Sequence, residues 1–131
     1  MKNHILLIDD DNDELEILCD ALNNAGIDHK CTWIQSVDHA IRILTYLIPD
    51  VIFIDFNMPG VNGMDGIKKL KETGMTQTIP IVLYSNTITE AVRRLAKQLG
   101  ATACIEKPSS VKGLSDAMSL FFESIFLQAK I

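Results

Sequence analysis

Hydrophobic positions along the chain change period repeatedly. Short apolar runs at residues 5–8, 51–54, 81–84 and, more weakly, 103–105 are rich in Val and Ile. Such runs suit strands covered on both faces. Residues 31–34 form a mixed run that fits a more exposed strand. Between these runs apolar residues recur at helical spacing. Leu15, Leu18 and Leu22 make one face; Val37, Ala40, Ile41 and Leu44 a second; Ile67 and Leu70 a shorter third. Val92, Leu95, Ala96 and Leu99 make a fourth, and Leu114, Ala117, Met118, Phe121, Ile125 and Phe126 a fifth. Thr87 with Glu90 three residues on reads as a capping box, and Gly26, Gly74 and Gly100 fall near helix ends. Pro49, Pro59, Pro80 and Pro108 lie outside the helical interiors, as helix breakers should.

Five strands alternating with five helices imply βαβ crossovers, and hence a doubly wound parallel sheet with helices on both faces. No repeat or linker interrupts the pattern, so residues 1–131 read as one (βα)₅ domain. In such sheets a ligand site forms outside the carboxyl ends of the strands, where the winding direction reverses.

Composition narrows the function classes. At 47% apolar and 22% charged the chain is ordinary globular material. A formal net charge of -5 argues against binding nucleic acid through a basic face. No apolar run approaches the ~20 residues that span a bilayer. The start, MKNHILLIDDD, lacks the apolar stretch of a signal peptide, so a cytoplasmic protein is expected. Cys19, Cys31 and Cys104 are odd in number and far apart, a poor disulfide framework and a poor zinc site; each reads as a small buried hydrophobe. His4, His29 and His39 lack metal-ligand spacing on a helix and receive no chemistry.

The residues that follow each apolar run carry more information. The first run ends in Asp9, Asp10 and Asp11, and the third in Asp55, Phe56, Asn57, Met58, Pro59 and Gly60. The fourth ends in Ser85, and the fifth in Glu106, Lys107 and Pro108. A parallel sheet gathers these at one edge. Crowded carboxylates raise one another's pKa, and a hard divalent cation such as Mg²⁺ relieves that crowding through oxygen ligands. Acid, metal, hydroxyl and lysine together are what a carboxylate nucleophile needs to accept a phosphoryl group. Taken singly, each residue has a plainer role. Asp11, with Asn12 or Asp13, is better read as capping the first helix. Asp55 fits a turn, Ser85 a cap and Lys107 a solvated surface. Four such coincidences at one sheet edge are much harder to accept.

At this point the sequence resembles the response-regulator receiver family. The matching stretches are ILLIDDD at 5–11, DVIFIDFNMPGVNG at 50–63, IPIVLYS at 79–85 and EKP at 106–108, and the likeness covers nearly the whole chain. The resemblance implies a flavodoxin-like fold with strand order 2-1-3-4-5. It implies Asp55 as phosphoacceptor, and Asp9, Asp10, Asp55 and the Asn57 backbone carbonyl around Mg²⁺ or Mn²⁺. Ser85 would bond a phosphoryl oxygen and Lys107 would pair with the phosphoryl group. Pro108 would follow a cis peptide bond, and Gly63 would let the loop after the site turn tightly. Asn57 and Thr87, at positions that tune the acyl phosphate's lifetime, bear no charge, so no strong general base is expected.

The implied protein is a signalling phosphoacceptor, not an enzyme, that assists only its own phosphorylation and dephosphorylation. Its phosphoryl donor would be a sensor histidine kinase or a histidine phosphotransfer protein. Its output would be a changed surface on the fourth helix, fifth strand and fifth helix, read by a downstream protein, with no direct nucleic-acid or membrane binding. One departure matters: Cys104 stands where the family usually has Tyr or Phe, and a cysteine cannot swing a large ring. Ser109 likewise stands where an aromatic is common. A single receiver domain without an output domain is expected. That helix ends in Phe121, Phe122, Ile125, Phe126 and Leu127, and a surplus of apolar side chains there would suit a homodimer or partner contact.

Three rivals are weaker. A haloacid-dehalogenase-type phosphohydrolase would use Asp9 in a D-x-D pair with Asp11, but Asn12 and Asp13 follow and there is no cap domain. A pseudo-receiver with an idle site conflicts with the full set of side chains. A flavin carrier lacks a phosphate-cradling loop after the first strand.

Overall fold

The computed structural model describes residues 3–58, 62–74 and 76–129, the last four by backbone alone. Pro59 and Gly60, and the side chains of Phe126 and Leu127, lie outside the described residues. The chain runs β1 (Asn3–Ile8), α1 (Asp13–Asn24), β2 (His29–Ile34), α2 (Val37–Ile43), β3 (Val51–Ile54), α3 (Gly63–Glu72), β4 (Ile81–Ser85), α4 (Glu90–Gln98), β5 (Ala103–Glu106) and α5 (Val111–Ala129).

The five strands form one parallel sheet in the order β2-β1-β3-β4-β5, the flavodoxin-like order expected. Side chains alternate across a strand, so β1 divides between two cores. Ile5 and Leu7 pack with Val51, Phe53, Val82 and Tyr84 under α1 and α5. Leu6 and Ile8 pack with Ile52, Ile54, Ile81 and Leu83 under α2, α3 and α4. Every residue of β3 and β4 is buried, whereas β2 at the edge is mostly half-buried. At roughly 1.5–3 kcal/mol per buried large aliphatic, these two layers hold the strand ends in fixed order.

Gly26, Gly74 and Gly100 have φ of 71°, 74° and 109°, the left-handed conformation that ends a helix. Asn12 is the N-cap of α1 and makes no side-chain cap hydrogen bond; Asp11, just before it, accepts from the Asp13 backbone N–H through Oδ1 at 3.0 Å.

Several boundaries differ from the sequence pattern. β1 and β2 begin at Asn3 and His29, before the apolar runs, because those two residues pair in register and backbone pairing needs no apolar side chain. The N-cap of α4 is Thr89, whose Oγ1 accepts from Val92 N–H at 3.2 Å, not Thr87. The Ile88 N–H donates instead to Glu106 Oε1 at 2.9 Å, which holds residues 87–89 out of the helix. Leu95 is 44% exposed at the rim of the stripe formed by Val92, Ala96 and Leu99. Ile43 is buried and Ile41 only partly so. Lys107–Pro108 is trans, not cis, the isomer a tertiary amide prefers by about 0.5–1 kcal/mol. All three cysteines are half-buried, short of full burial.

Candidate functional site

Neighbouring strands deliver the site. Asp9 follows β1, Asp55 follows β3, Ser85 ends β4 and Lys107 follows β5, and these four strands lie side by side. The turns hold the carboxylates by backbone: Asp9 N–H donates to Ile34 O at 3.1 Å and Asp55 N–H to Ile8 O at 3.0 Å. The Trp33 indole N–H donates to the Asp9 carbonyl at 2.8 Å. Carboxylate oxygens of Asp9, Asp10 and Asp55 lie within 4.8 Å of one another, with Asp9 and Asp55 buried and Asp10 exposed. This is a divalent-metal type of donor set: three hard oxygen ligands, one open to water.

Lys107 closes the pocket from β5. Its Nζ lies 3.2 Å from Asp9 Oδ2, 3.3 Å from Glu14 Oε2 and 3.9 Å from Asp55 Oδ1. Its own N–H donates to Ser85 O at 2.8 Å, which fixes where the side chain leaves the sheet.

Burial pushes the Asp9 carboxyl above the ordinary range, against the Asp11 N–H and the Lys107 charge, which favour the anion. Burial pushes Asp55 up as well, opposed by Lys107, by Ser85 and by the N–H groups of Asn57 and Phe56. Both anions are therefore short of positive charge, and a cation among them would stabilise the ionised pair. Ser85 Oγ is buried and close enough to favour the Asp55 anion, and among the described residues it has no partner in full hydrogen-bond geometry. Buried hydroxyls are seldom left so; this one suits an additional oxygen on Asp55.

The response regulator receiver domain family matches residues 5–119. The chain belongs to that family. Receivers are signalling phosphoacceptors of two-component systems, and Asp9, Asp10, Asp55 and Lys107 form this receiver's acidic pocket for phosphoaspartate signalling. The chain is 32% identical over 114 residues to the phosphate regulon transcriptional regulatory protein PhoB of Escherichia coli K12, covering 87% of this chain and 49% of that protein. It is 30% identical over 118 residues to the sensory/regulatory protein RpfC of Xanthomonas campestris, covering 88% of this chain and 16% of that one. The receiver thus spans about half, or less, of these curated relatives. In fold it resembles the phosphorylated cyanobacterial phytochrome response regulator RcpA, with TM-score 0.80, 22% identity and coverage of 94% and 93%. It also resembles the Mn²⁺-bound response regulator Rcp1, with TM-score 0.75, 20% identity and coverage of 89% of each chain.

In this receiver Gly63 does its work without a positive φ. A Cβ there would stand 2.8 Å from Asp55 O and 2.8 Å from Phe56 Cα, so the glycine permits close approach of α3 to the acid's own backbone. Asn57 and Thr87 are both exposed, two residues after Asp55 and Ser85. Cys104 is half-buried on β5.

Two residues of the receiver pocket escape a reading of strand ends. Glu14, in the first turn of α1, reaches Lys107; its position in an acidic helix start gave no sign of this. Tyr84 is fully buried, with its ring centroid 4.7 Å from Lys107 Nζ. Burial, Glu14, Asp9 and Asp55 all push its phenol up, and its hydroxyl has no hydrogen-bond partner among the described residues. The ring supports the ammonium from below by cation–π attraction.

Among the described residues no helix is long and apolar enough to cross a membrane. Phe121 is buried, and Phe122 and Ile125 pack against the same core, so this part of α5 is used internally.

Proposed function

We propose that Asp55 is the phosphoacceptor, charged from a phosphohistidine on a sensor histidine kinase or a histidine phosphotransfer protein. The observation that carries this is a buried carboxylate at Asp55 with Lys107 Nζ 3.9 Å away and the buried Ser85 hydroxyl beside it. An Asp55 oxygen attacks phosphorus in line with the P–N bond; that bond breaks, and its electron pair stays on the imidazole, which takes up a proton. The product is an acyl phosphate, later hydrolysed by water. Asp9, Asp10, Asp55 and the Asn57 carbonyl would hold Mg²⁺, or Mn²⁺ in its place, which neutralises charge on the transferring group. Lys107 supplies a second positive charge to the phosphoryl oxygens, and Ser85 donates its hydroxyl to another. Asn57 and Thr87 carry no base to activate water, which favours a long-lived acyl phosphate.

Movement of Ser85 towards the phosphoryl group pulls on residues 86–88, which are tied to β5 by the Ile88–Glu106 bond. The changed surface of α4, β5 and α5 would be read by a downstream protein. With Cys104 on β5, that change passes through backbone and loop, without a ring swing. Three free cysteines suit the reducing cytoplasm. The phosphohydrolase reading is disfavoured because both Asp9 oxygens are engaged, one by Asp11 N–H and one by Lys107.

The test is intact mass after incubation with acetyl phosphate and Mg²⁺. One added phosphoryl group, dependent on metal and absent in Asp55→Asn, is expected. An adduct that survives Asp55→Asn and vanishes in Asp9→Asn would overturn the assignment.

A further inference from the structure

Away from the acidic pocket, α1 and the edge strand β2 bring Cys19, His29 and Cys31 together. One sulfur from each cysteine and one ring nitrogen of His29 lie within 4.8 Å of one another, and all three residues are half-buried. His29 and Cys31 are two apart on β2 and so share a face, the face on which Cys31 packs against the core cluster that includes Leu18 and Leu22 of α1. Cys19 follows Leu18 at the edge of that buried stripe. His29 Nδ1 lies 2.9 Å from the Ile27 carbonyl. A carbonyl only accepts, so Nδ1 carries the proton, and in the neutral ring Nε2 has the free lone pair. That outer hydrogen bond is the usual way a metal-binding imidazole is oriented.

We propose that Cys19, His29 and Cys31 form a binding site for a thiophilic dication, Zn²⁺, with water in the fourth position. Two thiolates and a neutral imidazole balance its charge, which suits a half-buried place. Sulfur and nitrogen donors select Zn²⁺ over Mg²⁺ or Ca²⁺. Zn–S bonds of about 2.3 Å put ligand atoms roughly 3.5–3.8 Å apart, so closure needs at most about an ångström of side-chain movement. The site is separate from the carboxylates: Cys31 stands roughly 10 Å of strand before the carboxyl end of β2. Loading would fasten the edge strand to α1, the helix whose first turn sets Glu14 against Lys107.

The test uses the whole chain, reduced, stripped with chelator and held in excess Mg²⁺ to occupy the oxygen site. Titration with Zn²⁺ is expected to bind one equivalent. Co²⁺ in its place is expected to give a thiolate-to-metal absorption band in the near ultraviolet. The band should vanish in Cys19→Ser and Cys31→Ser, and affinity should fall about 10–100-fold in His29→Gln. Cys104→Ser and Asp55→Asn should leave both unchanged. Absence of the band, or its survival in either cysteine variant, would overturn the proposal. Should a variant fail to fold, alkylation of the wild type read by mass spectrometry decides instead. Zn²⁺ should protect Cys19 and Cys31 but not Cys104; equal labelling of all three, with and without Zn²⁺, would also overturn it. A Cys19–Cys31 disulfide that forms in air, without Zn²⁺ affinity in the reduced chain, counts against it as well.

Discussion

Lys107 Nζ lies 3.2 Å from Asp9 Oδ2 but 3.9 Å from Asp55 Oδ1. The ammonium is 8% exposed and shared with Glu14, so it serves as the internal counter-charge of the unphosphorylated pocket. On the proposed function, a phosphoryl group on Asp55 would offer it a stronger partner. Lys107→Ala removes one charge and leaves buried acids uncompensated, which typically costs about 3–5 kcal/mol. Urea denaturation in chelator should show a loss of about 3 kcal/mol, partly restored by Mg²⁺. An unchanged midpoint would mean that the lysine does not hold the acids.

Ser85 behaves in the opposite way. Its hydroxyl is buried with no full hydrogen bond among the described residues, and a buried unmet polar group costs about 1–3 kcal/mol. Ser85→Ala should therefore leave the unphosphorylated protein as stable as the wild type or up to about 1 kcal/mol more so. The same variant should lose the conformational response to acetyl phosphate, read by backbone amide shifts of residues 86–88.

Gly63→Ala tests the close approach of α3. The added methyl meets backbone atoms at 2.8 Å, which cannot give way as a flexible side chain does. A destabilisation of about 1–3 kcal/mol is expected, with a lower rate of phosphorylation by acetyl phosphate. Wild-type stability and rate would show that the loop shifts freely.

The pH dependence follows from the raised Asp9 and Asp55 pKa values. The native state then holds protons that the unfolded chain has released above about pH 3.9. The stability contributed by the protonated acids is fully present below that value and is lost as pH rises through the native pKa values. Urea midpoints in chelator should fall with rising pH across this window. The Asp9→Asn, Asp55→Asn double variant should show a flatter course, as should the wild type saturated with Mg²⁺.

Much of this was legible in one dimension. Strand and helix periods are local, and a parallel sheet lines up its carboxyl ends whatever the loops do. Asp9, Asp55, Ser85 and Lys107 could therefore be grouped from the residue that follows each apolar run. The cap of α4 lies at Thr89 and not at Thr87 because the bond that holds residues 87–89 out of the helix comes from Glu106 on another element.

What the sequence determined by itself was the alternation of elements, the winding of the sheet and the acids at its edge, all consequences of side-chain period and order along the chain. Only the tertiary structure decided that Glu14 reaches Lys107, that the Tyr84 ring lies beneath that ammonium, and that Cys19 meets His29 and Cys31. These contacts join residues on different elements. They depend on how a helix is rotated about its axis over the sheet and on the register of an edge strand, and the packing of two whole cores sets both.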